Sequence, residues 1–282
     1  MAPSPAEASL PTVRPHPLRR RVLSALVLAP PALAVVVLGG LVFDLWMALA
    51  AVLMAREWGR VTAAGRPGAA GWALAAGVAG AVGVAAAGAP AWPAWLGLPA
   101  GLAVVYGLAR GEGVEAPGWL AGGLVAIGVP CVAFVWLRDL PVGGRLVVLW
   151  LLAVVWATDI GAYAIGRWLG GPRLAPRISP NKTWAGLLGG MASAALVSAL
   201  VARLGDGAGM IGAAAVGGGL AVVAQAGDLA ESLVKRRFGV KDAGALIPGH
   251  GGLLDRVDGL LAAAPVVALV IGVTGSGGIE WS

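Results

Sequence analysis

Asp228 and Glu231 stand three residues apart, and so do Asp255 and Asp258, within a stretch from Gln225 to Gly259 that holds five carboxylates, five basic residues and one histidine. If each segment is helical, each acid pair shares one face. Carboxylate oxygens are the hard ligands Mg²⁺ prefers, and Mg²⁺ takes its remaining ligands from water and substrate phosphates. Four such acids suit one or two ions. The plainer alternative is that they pair with Lys235, Arg236, Lys241 and Arg256 in membrane-surface salt bridges, since ion-pair networks cluster in the same way.

His250 sits in Pro248-Gly249-His250-Gly251-Gly252, a turn-forming run that does not readily continue a helix. Glycines on both sides let backbone approach a ligand closely. A lone histidine more often hydrogen-bonds for structure than for catalysis, but glycine neighbours beside an acid pair favour function. A second polar segment, Ser179-Pro180-Asn181-Lys182-Thr183-Trp184, follows Arg173 and Arg177. Ser179, Lys182 and Thr183 offer hydroxyl and ammonium donors to phosphate oxygens near a helix start. By itself this segment reads equally as a topogenic basic loop. Asp159 lies inside an apolar run, where an acid faces a cavity or a partner such as Arg167, a metal or a substrate hydroxyl. Glu57, in Arg56-Glu57-Trp58, reads as an interfacial residue that snorkels and pairs locally.

The elements that must position these groups are membrane helices. Hydrophobic residues make up 59% of the chain, charged residues 12%, and mean hydropathy is +0.85, outside the range of soluble domains. Apolar runs long enough to cross a bilayer predict about nine spans, near 22–43, 45–64, 71–89, 92–109, 118–137, 145–166, 184–203, 208–227 and 259–275. The expected fold is therefore an all-α polytopic membrane protein. Residues 1–20 read as a disordered cytoplasmic tail, 21–110 as amino-terminal helices and 111–282 as the catalytic region. Connections on the amino-terminal side carry Arg56, Arg60, Arg66, Arg110, Arg167, Arg173, Arg177, Lys182, Lys235, Arg236, Arg237, Lys241 and Arg256; the other side carries Arg138, Arg145 and Arg203. The positive-inside rule then predicts a cytoplasmic amino terminus and a cytoplasm-facing site, and the short tail without organelle-targeting features predicts the cell (plasma) membrane. The net charge of +6 reflects that bias and an anionic ligand rather than nucleic acid.

Cys131, the one cysteine, excludes an internal disulfide or a cysteine metal site and reads as a small core or lipid-facing residue. Glycines inside the spans, such as Gly186, Gly189, Gly190 and Gly217 to Gly219, fit close helix packing, which also permits a homodimer. No phosphate-loop pattern ending in Gly-Lys-Ser/Thr occurs.

Taken in order, Ser232-Leu-Val-Lys235-Arg236, Lys241-Asp242, Pro248-Gly249-His250-Gly251-Gly252 and Asp255-Arg256-Val257-Asp258 resemble the signature of the phosphatidate cytidylyltransferases, or CDP-diacylglycerol synthases. Gln225 to Ser232 resembles the acidic approach to that signature, and Ser179 to Trp184 its second motif. Ala185 stands where some members carry an acid, so no carboxylate role transfers there.

The resemblance implies that CTP and phosphatidate give CDP-diacylglycerol and pyrophosphate with Mg²⁺, a second metal or a monovalent cation being left open. It implies Asp228 and Asp255 as first metal ligands, with Glu231 and Asp258 as additional or supporting ones. Lys235, Arg236, Lys241 and Arg256 would hold nucleotide phosphates, Lys241, Arg256 and His250 being the candidates for catalytic work. Ser179, Lys182 and Thr183 would hold a headgroup or nucleotide phosphate, and Gly251 and Gly252 would admit the nucleotide. Three rivals remain at this stage. A CTP-dependent polyprenol or phytol kinase shares the plan; a secondary transporter would carry its acids nearer the bilayer midplane; a CDP-alcohol phosphotransferase would show a spaced Asp-Gly and Ala-Arg pattern.

Overall fold

The computed structural model describes residues 29–63, 65, 68–88, 91–204, 209–244, 246 and 251–274. The expected tail over 1–20 and His250, with Pro248 and Gly249, lie outside the described residues.

Helices follow the apolar runs. They are α1 (Ala29–Leu38), α2 (Gly40–Thr62), α3 (Ala69–Ala86), α4 (Ala91–Gly111), α5 (Pro117–Gly123), α6 (Val129–Arg138), α7 (Gly144–Leu169), α8 (Trp184–Leu204), α9 (Met210–Arg237) and α10 (Leu254–Thr274). A π turn over Leu124–Gly128 joins α5 to α6 into one rod. Pro130, two residues later, has no N–H to return to the carbonyl of Ala126, and the widened turn absorbs that gap.

Among the described residues, six rods are long and apolar enough to cross a membrane: Ala69–Ala86, Pro117–Arg138, Gly144–Leu169, Trp184–Leu204, Met210–Arg237 and Leu254–Thr274. The protein is thus a polytopic helical membrane protein. Helix α2 carries Asp44, Arg56, Glu57 and Arg60 within its 23 residues. Its apolar side still buries Phe43, Met47, Ala51 and Met54.

The all-α expectation omits one feature, a two-stranded antiparallel ribbon of β1 (Arg173–Ala175) and β2 (Ser179–Thr183), with Arg173 opposite Thr183 and Ala175 opposite Ser179. Pro180 has no amide to give a helix, so the polar segment lies extended until Thr183 starts α8: its Oγ1 accepts the Gly186 N–H at 3.0 Å.

The carboxy-terminal helices form a run in which α7 packs on α8, α8 on α9 and α9 on α10. Small residues set their spacing, as the spans' glycines suggest. A Cβ on Gly161 would stand 2.7 Å from the Gly189 carbonyl oxygen, and one on Gly217 2.6 Å from that of Ala194. One on Gly227 would meet Ala262 Cβ at 2.5 Å. Leu74, Val78, Leu120, Ile127, Leu137, Leu151 and Val154 form the fully buried centre, and Cys131 is buried with them. At one end of the bundle the Arg138 guanidinium donates through Nε to the Val36 carbonyl at 2.7 Å, tying the end of α6 to the last turn of α1. The polar motifs gather at the other end.

Candidate active site

The site is assembled where the ends of α2, α7 and α9 meet the starts of α8 and α10. Lys182, at the end of β2, reaches α9 and pairs with Asp228 Oδ2 at 2.6 Å. Ser232, one turn along α9, directs its hydroxyl toward Asp228 Oδ1 at 3.4 Å. The two motifs, more than forty residues apart in sequence, are therefore two walls of one site.

Lys235 links the walls further. Its Nζ lies 2.5 Å from Glu231 Oε2, one turn back on α9, and 2.6 Å from Asp255 Oδ1 on α10. The three side chains are 14%, 11% and 8% exposed, so the ammonium is held between two nearly dry carboxylates. Asp255 is further fixed through Oδ2, which accepts the N–H of Ala243 at 2.9 Å and of Gly252 at 2.7 Å. Both oxygens of Asp255 thus already face donors. Its reading as a first metal ligand requires Lys235 to yield Oδ1.

The remaining acids crowd the same space. The charges of Asp228, Glu231 and Asp159 all act on Asp258, whose own Oδ1 accepts the Gly259 amide at 2.7 Å. Asp159, exposed on α7, feels Asp228, Lys182 and Arg256. Arg167, one of the partners considered for it, is exposed and is not among them. Five carboxylates, Asp159, Asp228, Glu231, Asp255 and Asp258, thus cluster with three cations, Lys182, Lys235 and Arg256.

That cluster bears on the metal the family resemblance implies. Among the described residues no three acid, histidine or cysteine side chains converge as a ready ligand set. The donor chemistry fits a hard divalent cation all the same: all the oxygens are carboxylate, and Glu231 Oε1 is buried with no hydrogen-bond partner among the described residues.

Of the other sequence candidates, Arg236, Lys241 and Arg256 are exposed. Ser179 is half-buried in the ribbon. Thr183 spends one lone pair on the α8 cap, and its hydroxyl donates no hydrogen bond among the described residues. Gly251 has φ 85°, a left-handed turn that favours glycine, and Gly252 is buried beside it.

Glu57 departs from its sequence reading. Rather than snorkelling at an interface, it is 2% exposed, and its two oxygens accept the amides of Leu253 and Leu254, each at 2.9 Å. It caps α10 from a helix almost two hundred residues earlier. The only trace in the sequence is an acid near the end of an apolar run, which is also what a surface residue looks like.

Residues 19–274 match the profile of the Cytidylyltransferase family. A phosphatidate cytidylyltransferase of Brucella suis is 53% identical over 152 residues, covering 54% of this chain and 56% of the relative. The match therefore spans little more than half of that protein's length. One from Rickettsia bellii is 39% identical over 158 residues, covering 54% of this chain and 68% of the relative. One from Pseudomonas aeruginosa is 37% identical over 279 residues, covering 92% of this chain and 99% of the relative. With the profile running through the helices that build both walls of the site, the chain belongs to the cytidylyltransferase family.

Proposed function

We propose that this protein is a phosphatidate cytidylyltransferase: CTP and phosphatidate give CDP-diacylglycerol and pyrophosphate, a step of phospholipid synthesis. The observation that carries the reading is the lattice Lys182–Asp228 and Glu231–Lys235–Asp255, which joins both family motifs at one end of a membrane bundle. The similarity to relatives named for that activity supports it.

The chemistry asks little of a general base. A phosphate oxygen of phosphatidate attacks the α-phosphorus of CTP, a new P–O bond forms, and the bond to the β-phosphate breaks to release pyrophosphate. The obstacle is bringing polyanions together, so fixed cations lower the barrier most. Arg236, Lys241 and Arg256 are exposed to meet the nucleotide's phosphates, and Lys235 stands behind them. Lys182 and the hydroxyls of Ser179 and Thr183 would hold the lipid headgroup or a nucleotide phosphate, and the Gly251–Gly252 turn would admit the nucleotide; His250, outside the described residues, stays a candidate from its motif. Asp228 and Asp255, with Glu231 and Asp258, would hold Mg²⁺. A bound Mg²⁺ would neutralise phosphate charge and align the phosphate oxygens.

Nine crossings, with the amino terminus and the site in the cytoplasm of a cell that keeps this protein in its plasma membrane, agree with the placement of the motif ends and with the arginine bias. A homodimer is compatible with the small-residue helix faces. The test is product identity. Purified protein given phosphatidate, Mg²⁺ and CTP labelled on the α-phosphorus should move label into lipid, and chelation should stop it. Label entering lipid only from the γ-phosphorus would instead identify a kinase.

A further inference from the structure

Three consecutive amides at the start of α10 end on carboxylates. Gly252 N–H goes to Asp255, Leu253 N–H to Glu57 Oε1 and Leu254 N–H to Glu57 Oε2. The first holds a residue of the candidate site, and the other two hold the backbone that carries it. Glu57 makes no ion pair among the described residues, although it is 2% exposed. A buried charge without a cation is costly unless amides and a helix dipole replace its water. The N-terminus of α10 supplies both.

The chain has also made room for this carboxylate. A Cβ on Gly244 would stand 2.8 Å from Glu57 Oε1, and one on Gly252 2.6 Å from Oε2. Neither glycine has a positive φ, so space rather than backbone freedom is what their missing side chains provide. Gly244 follows Ala243, whose amide also binds Asp255, and Gly252 gives Asp255 its other amide. Both segments that clasp Asp255 therefore rest on Glu57.

We infer that Glu57 is a positioning residue for the transfer reaction: from α2 it sets the start of α10 and the turn before it, and so aims Asp255 and the Lys235 ammonium that Asp255 holds. The inference rests on the reaction proposed above. It makes the amino-terminal helices part of the active-site machinery rather than a membrane anchor alone.

Glu57→Gln keeps size but loses the charge and turns an NH₂ toward a backbone N–H. Its kcat, per folded protein in detergent with α-labelled CTP, should fall about 100-fold, the scale of a misplacement near 1 Å. KM for CTP should change far less than kcat, because Arg236 on α9, which also meets the nucleotide, does not rest on Glu57. Glu57→Asp keeps the charge but retracts it, and should recover part of that loss. Gly244→Ala pushes on the same carboxylate without altering it and should lower kcat by about 10-fold or more. Combined with Glu57→Gln it should add almost nothing, since both act through one contact.

Folded Glu57→Gln or Gly244→Ala protein with kcat within about twofold of wild type overturns the inference. So does failure of all three single variants to fold, which would make Glu57 a purely structural cap. Wild-type protein that never labels lipid refutes the reaction itself; active wild type with undisturbed variants refutes only the role of Glu57.

Discussion

Replacing Lys235 with Met should damage the protein twice, and the two kinds of damage should separate. The ammonium sits 2.5 Å from Glu231 and 2.6 Å from Asp255, with all three side chains less than 15% exposed. Its removal leaves two adjacent carboxylates with little water. Losing one partner of a buried pair costs about 3–5 kcal/mol. The lower end applies, because Asp255 keeps the amides of Ala243 and Gly252. Glu231 keeps nothing comparable: its Oε1 already lacks a hydrogen-bond partner among the described residues.

A loss of about 3 kcal/mol would lower the midpoint of thermal unfolding by roughly 6–10 °C. Adding Glu231→Gln to Lys235→Met removes the less supported charge and should return at least about 1 kcal/mol. It should return no activity, because the cation proposed to face the phosphates is still missing. Thermal unfolding in detergent, followed by tryptophan fluorescence, measures the first effect, and transfer of α-label from CTP measures the second. A double variant less stable than Lys235→Met alone would refute the geometry. A double variant that regains wild-type turnover would refute the role of Lys235.

Asp255→Asn preserves the amide contacts through its carbonyl but loses the charge facing Lys235; it should fold and lose CTP-dependent product, and near-normal turnover would remove Asp255 from the site. Lys182→Met breaks the ribbon's ion pair to Asp228, whose side chain is 33% exposed, so stability should fall by no more than about 1 kcal/mol while activity falls far more; equal losses in unfolding midpoint and turnover would make Lys182 only a strut. Gly227→Ala drives a Cβ to 2.5 Å from Ala262 and 2.8 Å from the Asp258 carbonyl, which should cost about 1–3 kcal/mol by separating α9 from α10; unchanged thermal unfolding would show that those helices are not in contact as described.

The helices were legible because membrane spans announce themselves locally: each needs a long apolar run, and every backbone group finds its partner within the run. The expected span at 145–166 became α7 and that at 184–203 became α8, with ends shifted by three residues or fewer. The expected span at 208–227 ran ten residues short, because α9 continues to Arg237 through Asp228, Glu231 and Lys235. Hydropathy stops at the first charges, whereas the helix continues because those charges pair on its own face and with α10. The ribbon was not visible either. Pro180 declared a break in helix, but the pairing of Arg173 with Thr183 depends on two short strands that carry no alternating pattern.

Glu57 marks the deeper limit of such reading. Spacing relates residues within one helix, and motif order relates residues along one stretch, but the α2 carboxylate meets its amides across 196 and 197 positions. Nothing in Arg56-Glu57-Trp58 distinguishes an acid that snorkels from one that is sealed under another helix. The distinguishing fact lies in its partners: Gly244 and Gly252 lack side chains where Glu57 needs room, and Leu253 and Leu254 offer amides that no preceding helical turn can use. An acid in a membrane helix is therefore better judged by which helix start lies opposite it than by its own depth. By that measure Glu57 belongs with Asp255, and if it positions that residue as inferred above, α2 contributes to the site alongside the region from residue 111.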